Sequence, residues 1–480
     1  MRVVVMGGGL AGMTTALELR RHGVDVVLVE AAPRLGGKAG SDLVDGVYED
    51  HGYHIIPAWY KNFRGILDEL EIVLDDLEGY HFLLPHQFPN LVPISFMEPF
   101  AEGVIPIPDK ILCLYFVSQM VGHSMSRKRY LDRLSLVGLL RSRWYATEPM
   151  SRYSQDNMLK AVAVPAYELS AFTTRLVGWN WFSNPRPFIS VLRGPMQTAL
   201  IQPFEARLRR TGTDIRLGER VEKLVMTHGR VDHVRARRAD GSVDEVRGDV
   251  YVMATNLEVT RTLVDDGVYV GDPNLGRIHQ LHAAPMTGLN IYFNRKIPGV
   301  PKDHVFLVEG RYALSFIDVS QHWPNLPNTT LSVISSDSLP MRSVSPAAWW
   351  RALFGEIMRF LPVTEADVEH YYLHQNVETP LFLNTIAAWP NRPPVRGKIP
   401  NLRVAGDYVQ NITDLATMEG ATCSGMDAAA TILDDARVLH RKMPAEPFRW
   451  PRAMFRAVEM MAAPLVPPVY LWSRLGGMLK

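Results

Sequence analysis

The chain opens on an apolar run, Arg2-Val-Val-Val-Met6, that ends in three consecutive glycines, Gly7 to Gly9. Apolar positions then recur at helical spacing from Leu10 to His22, and a second apolar run follows from Asp25 to Val29. This order predicts strand, glycine turn, helix and strand. Residues 80–200 change character: they are rich in aromatics and proline, with helical patterning and a basic patch at Arg127, Lys128, Arg129, Arg133, Arg141 and Arg143. From Val191 to Thr255 an α/β pattern returns, with a helix near Pro195–Arg210, a strand at Asp214–Leu217 and short strands ending at Asp249–Ala254. Residues 285–375 alternate apolar strands, Leu289–Phe293 and Leu331–Ile334, with a helix near Ala347–Leu361. A last strand, turn and helix at Leu402–Leu433 precede a tail, 436–480.

Composition narrows the class. Among 480 residues, 51 Lys and Arg face 50 Asp and Glu, so no global field favours nucleic acid or an acidic polymer. Two cysteines, Cys113 and Cys423, exclude a disulfide framework and a paired-cysteine zinc site, and they fit a reducing, cytoplasmic setting. The immediate start on a strand pattern leaves no room for a secretory signal. The apolar stretches at 111–126 and 460–473 are too short or too interrupted by proline and polar residues to span a bilayer. Lying on a membrane surface remains open. The histidines are scattered without ligand spacing, and no HExxH, CxxC or GxSxG constellation occurs, so neither a metal nor acyl transfer is expected.

Gly7, Gly9 and Gly12 form GxGxxG between the first strand and the first helix, the one context in which that pattern carries a mechanism. Gly7 permits the tight turn, Gly9 lets the backbone approach a pyrophosphate, and Gly12 lets helix and strand pack closely. The diphosphate then meets the unpaired N–H groups of the helix start at Leu10 and Ala11. Glu30 closes the second strand, 18 residues after Gly12, where an acid holds a ribose hydroxyl pair and repels a 2′-phosphate. NAD and FAD share this fingerprint.

The residues that follow Glu30 separate the two. Ala31-Ala-Pro-Arg34-Leu-Gly36-Gly37-Lys38 resembles the flavin amine oxidase and carotene desaturase superfamily, in which the arginine and the glycine pair meet the FAD phosphates and ribityl chain. Lys38 stands where many members carry arginine. The segment Gly52-Tyr-His54 through Asn62 is similar to one in plant and cyanobacterial type phytoene and ζ-carotene desaturases and in hydroxysqualene dehydroxylases. The resemblance makes His54 a flavin-side or substrate-side contact and the candidate catalytic residue; a core histidine bonded to backbone is the plainer alternative. Asn401 to Asp407 and Met418 to Gly425 resemble the family's second flavin motif. That resemblance implies cofactor contacts at Gly406, Asp407, Met418 and Glu419, with the helix start stabilising negative charge at the flavin edge. Val221 matches the valine that touches adenine through its backbone. Cys423 lies among small residues in that motif and reads as packing.

The implied fold is α/β, with an α+β substrate region: a Rossmann-like FAD-binding domain assembled from 1–80, 191–265 and 395–435, and an inserted substrate-binding domain from 81–190 and 266–394. The implied function is an FAD-dependent oxidoreductase, with non-covalent FAD, that desaturates an apolar isoprenoid-like or polyene-forming substrate. A quinone or O₂ reoxidises the flavin. Reductive hydroxysqualene dehydroxylation, polyene isomerisation and amine or amino-acid oxidation are the alternatives. The tail carries eight Lys and Arg against two Glu, together with Phe448, Trp450, Phe455, Tyr470 and Trp472. That mixture suits peripheral contact with a membrane, or a helix strapped onto the protein's own surface.

Overall fold

The apolar runs at the start of the chain become the middle of a five-stranded parallel sheet in the computed structural model, which describes residues 1–93, 103–123, 128–185, 188–337 and 343–478. Its strands run in the spatial order Asp214–Leu217, Asp25–Glu30, Arg2–Met6, Val250–Met253, Leu402–Val404. All four pairings are parallel. Val3 to Met6 and Val26 to Leu28 are completely buried, which is why these strands are apolar throughout rather than alternating. Segments far apart in the chain therefore share one sheet, and the glycine turn and Asp407 both follow the carboxyl ends of its strands. Helix Leu10–Arg21 crosses helix Met418–Asp435 closely enough for Thr15 Oγ1 to donate to the carbonyl of Gly425 at 3.1 Å.

A second, seven-stranded sheet takes the order Val368–His374, Thr287–Phe293, Thr330–Ser335, Leu314–Asp318, His304–Leu307, Tyr80–Leu83, Val92–Pro93. It is mixed, because His304–Leu307 runs parallel to Tyr80–Leu83 while its other neighbour is antiparallel. Helix Pro346–Ile357 packs against it through Trp349, Leu353 and Phe354, and the Trp349 indole donates to Thr287 Oγ1 at 3.0 Å.

Helices Ile107–Gly122, Glu148–Val162 and Ala171–Phe182 belong to the intervening region. In the last of these Phe172 is buried, whereas Tyr167 just before it is 63% exposed. Of the basic patch, Arg127 lies outside the described residues, as do the side chains of Lys128 and Arg129.

The tail runs back over these helices. Arg449 donates to Asn180 at 2.7 Å and lies over the Trp179 ring at 5.0 Å, while Trp179 Nε1 donates to the carbonyl of Trp450 at 2.9 Å. Helices Arg452–Ala462 and Val466–Met478 pack on Ile107–Gly122, and Ser473 Oγ donates to Asp109 at 2.8 Å. Met443, Phe455 and Val466 are buried in these contacts. The tail is thus strapped to the protein through one face. Among the described residues, no helix is long and apolar enough to cross a membrane.

Candidate functional site

The glycine turn has the shape its residues suggest. Gly7 sits at φ +104°, where a side chain is strained, and its N–H donates to the Val29 carbonyl at 2.8 Å. A Cβ on Gly12 would stand 2.0 Å from the Gly7 carbonyl oxygen, so helix and turn meet at a distance only glycine allows. Gly9 differs from both. Its backbone is extended, at φ −76° and ψ −179°, and a Cβ there would meet nothing within 4 Å. The backbone at Gly9 therefore faces open space at the start of a helix, the cradle a diphosphate requires. The pair Gly36 and Gly37 closes over the turn, the Gly36 N–H donating to the Gly8 carbonyl at 2.9 Å.

That open space belongs to a cavity of about 1040 Å³, near the upper end of ordinary ligand sites. One end is walled by Gly7, Gly9, Leu10, Ala11, Glu30, Ala31, Arg34, Gly36, Gly37, Lys38, Val221, Gly406, Asp407 and Met418. The other end is apolar and aromatic, with His54, Tyr53, Tyr80, Trp181 and Phe306 and the inner faces of helices Ile107–Gly122 and Glu148–Val162. Lys160 reaches the wall there, but its ammonium is paired with Asp156 at 2.5 Å, and burial lowers its pKa.

The Glu30 carboxylate is anchored by its own backbone, accepting from the Gly8 N–H at 2.6 Å and from the Ala32 N–H at 2.7 Å. Its remaining lone pairs are the ones available to a ribose. Replacing Glu30 with alanine is expected to weaken FAD binding by about 1–3 kcal/mol, the range for a hydrogen bond to a charged group. Flavin fluorescence titration of the apoprotein measures it. A change of less than twofold would remove the ribose contact from the account.

Lys38 and Asp407 join motifs from opposite ends of the chain in an ion pair at 3.2 Å. Gly406 precedes at φ +151°, its N–H donating to Ser424 Oγ at 2.8 Å. Thr417 caps helix Met418–Asp435, its hydroxyl accepting from the Gly420 N–H at 3.0 Å. With Met418 on the cavity wall, the positive end of that helix lies beside the site, where it favours negative charge.

Two of the expected contacts are engaged with protein partners. Arg34, expected against the phosphates, pairs with Asp42 at 2.5 Å, because hairpin Ser41–Asp50 brings that carboxylate alongside. Glu419 is absent from the cavity wall. Its side chain is fully buried and accepts from the Asn62 N–H at 3.0 Å, Asn62 Nδ2 at 2.8 Å and the Phe63 N–H at 2.8 Å. It caps the start of helix Lys61–Glu69, and burial raises its pKa. Glu419→Ala is expected to destabilise the fold by about 1–3 kcal/mol for each buried donor left unpaired. Denaturant unfolding should register that loss while the FAD dissociation constant of the folded fraction stays within about threefold of wild type. Cys423 is also buried, and burial pushes its thiol well above the usual range.

Burial pushes the His54 imidazole down to about 4, so it is neutral near pH 7 and offers a hydrogen bond rather than a charge. Sequence reasoning missed a neighbouring network. Tyr53 OH lies 2.6 Å from both His304 Nε2 and Ser315 Oγ, and burial pushes His304 down to about 3. Tyr53 stands more than 250 positions from either partner in the chain, with no local signal.

Residues 5–70 match the NAD(P)-binding Rossmann-like domain family, and residues 151–433 match the flavin containing amine oxidoreductase family. The 15-cis-phytoene desaturase of Glycine max is 24% identical over 477 residues, covering 92% of this chain and 80% of that protein. That of Synechococcus elongatus is 24% identical, covering 93% and 99%. The carotenoid phi-ring synthase of Streptomyces griseus is 27% identical, covering 90% and 87%. Among solved structures, an oxidoreductase from Methanosarcina mazei superposes with a TM-score of 0.68 at 15% identity, covering 90% of this chain and 100% of that one. Cyclohexylamine oxidase from Brevibacterium oxydans gives 0.68 at 15% identity, covering 91% and 99%, so the fold is shared.

Proposed function

The chain belongs to the flavin-containing amine oxidoreductase family and is an FAD-dependent oxidoreductase, and from that premise we propose that it desaturates an apolar, isoprenoid-like substrate. Bound FAD supplies the hydride acceptor, N5 of the isoalloxazine. The protein's part is to hold and exclude. The glycine turn and Glu30 seat the dinucleotide, the start of helix Met418–Asp435 favours the negative charge of the reduced ring, and the aromatic wall keeps water from the reacting carbons. A strong base is not required, since an allylic carbon that gives up hydride leaves an acidic C–H beside it. Neutral His54 and the Tyr53–His304 pair fit that demand as hydrogen-bonding groups.

The observation that carries the reading is one continuous cavity lined both by the glycine turn with its polar neighbours and by an apolar, aromatic set of side chains. Of the two lysines that reach the wall from helices Ile107–Gly122 and Glu148–Val162, Lys110 and Lys160, the Lys160 ammonium is already paired with Asp156. The names of the desaturase relatives support the same substrate class.

The test is anaerobic mixing of the FAD-loaded protein with a polyene-precursor panel and an amine panel. Bleaching of the flavin by an isoprenoid hydrocarbon, with return of colour on adding a quinone or O₂, is the expected result. Bleaching by amines alone would overturn it in favour of amine oxidation.

We further infer that the substrate is drawn from a membrane surface. The tail helices turn Met460, Met461, Leu471 and Trp472 outward, 65%, 70%, 59% and 51% exposed. Their other face packs on helix Ile107–Gly122, whose Cys113, Leu114, Val117 and Met120 line the cavity.

A further inference from the structure

Where hairpin Ser41–Asp50 meets the edge strand Val368–His374 of the seven-stranded sheet, three side chains with metal-binding atoms converge. His51 Nε2 lies 3.1 Å from Asp42 Oδ2, and His374 Nδ1 lies 3.4 Å from the same oxygen. The three donor atoms all fall within 4.8 Å of one another, and the two imidazoles stack at 3.8 Å with 12° between their planes. We propose that Asp42, His51 and His374 bind one first-row divalent transition cation, which clasps the dinucleotide-side hairpin to the substrate sheet.

Distances favour it. An ion held at about 2.0–2.2 Å by N and O donors in tetrahedral array sets those donors roughly 3.3 Å apart. The two separations from the Asp42 oxygen already match, and the two imidazoles, stacked nearly parallel, need only turn about their side-chain bonds to aim both lone pairs at one ion. Donor chemistry selects the cation class: two imidazoles and one carboxylate suit Zn²⁺, Fe²⁺ or Co²⁺, whereas Mg²⁺ and Ca²⁺ prefer all-oxygen sets. The carboxylate has the outer support common to metal ligands. Arg34 holds Asp42 Oδ1 at 2.5 Å, and Tyr372 OH donates to Oδ2 at 2.7 Å. All three ligating residues lie on the cavity wall, which leaves a fourth coordination position for water or substrate. The Arg34–Asp42 pair is neutral overall, so a bound dication would add positive charge to that wall. Positions 42, 51 and 374 carry no ligand spacing in sequence because only the fold brings hairpin and sheet edge together.

The experiment uses the full FAD-loaded chain, stripped with chelator, loaded with Zn²⁺ or Co²⁺ and dialysed against metal-free buffer. Elemental analysis should find one ion per chain, with the visible d–d bands of a low-symmetry site for Co²⁺. His51→Ala and His374→Ala are each expected to weaken Co²⁺ binding at least about 100-fold, and Tyr372→Phe about 10-fold, the effect of losing an outer-shell partner. Flavin absorbance reports whether each variant is folded. The wild type decides by itself if they are not: failure to retain either Zn²⁺ or Co²⁺ overturns the proposal. So does equal retention by a folded His51→Ala/His374→Ala double variant. Flavin bleaching by substrate is read separately, so failure of the metal site leaves the desaturase reading standing.

Discussion

Gly9→Val is expected to give a folded but colourless protein, while Gly12→Val gives little folded protein at all. The two glycines lie three residues apart in one motif, yet they serve different ends. At Gly12 the added side chain drives into the Gly7 carbonyl at 2.0 Å, a clash between backbone and side chain that no rotamer relieves. At Gly9 the dihedrals suit any residue and the space is empty, so valine costs the fold little. The space it takes is the one the diphosphate needs. Losing two charge-assisted hydrogen bonds at about 1.5–3 kcal/mol each weakens FAD binding by more than about 100-fold. Absorbance of the purified protein, circular dichroism and reconstitution with excess FAD check the pair. Wild type should release all its flavin on heating: Cys423, the cysteine within the second flavin motif, is buried and absent from the cavity wall, and burial pushes the thiol of Cys113, which lines the wall, up to about 12, away from a reactive thiolate. Normal FAD binding by folded Gly9→Val would overturn the assignment of the loop.

What could be read beforehand divides along the range of the forces involved. The parallel sheet was legible because a strand buried on both faces must be apolar throughout, and because a turn at φ +104° followed by a helix packed against its carbonyl calls for glycine twice in six residues. Those demands act within one turn of chain. The partners of charged groups act across it. Arg34 answers to Asp42 on a hairpin whose position depends on the second sheet, and Glu419 answers to the start of helix Lys61–Glu69, more than 350 residues away. A motif shows that an arginine or a glutamate stands at the site but not which neighbour it meets. The cluster of Asp42, His51 and His374 is the extreme case, because His374 lies on a sheet edge more than 300 positions from the hairpin that brings Asp42 and His51.

The tail supplies the second large effect. Composition alone suggested electrostatic attachment, since eight basic residues outnumber two acidic ones in 436–480. The structure shifts the weight toward apolar contact. Arg441 is paired with Glu18 at 2.7 Å and Arg449 is held by Asn180, so part of that charge is already engaged. Met460, Met461, Leu471 and Trp472 face outward instead, beside the helix that lines the cavity. Moving each from water into the acyl boundary is worth about 1–2 kcal/mol, and together roughly 4–8 kcal/mol. Replacing all four with serine is therefore expected to lower partitioning onto anionic vesicles about 1000-fold or more, whereas raising salt should lower wild-type binding only about 10-fold. Substitution is a cleaner probe than removing the tail, because truncation would uncover the surfaces against which Met443, Phe455 and Val466 are buried. Vesicle co-sedimentation at low and high salt, with flavin absorbance as the test of folding, measures both terms. Wild-type protein that stays in the supernatant at low salt would detach the tail from any membrane. It would leave the apolar face for another occupant and require a soluble or carrier-delivered substrate.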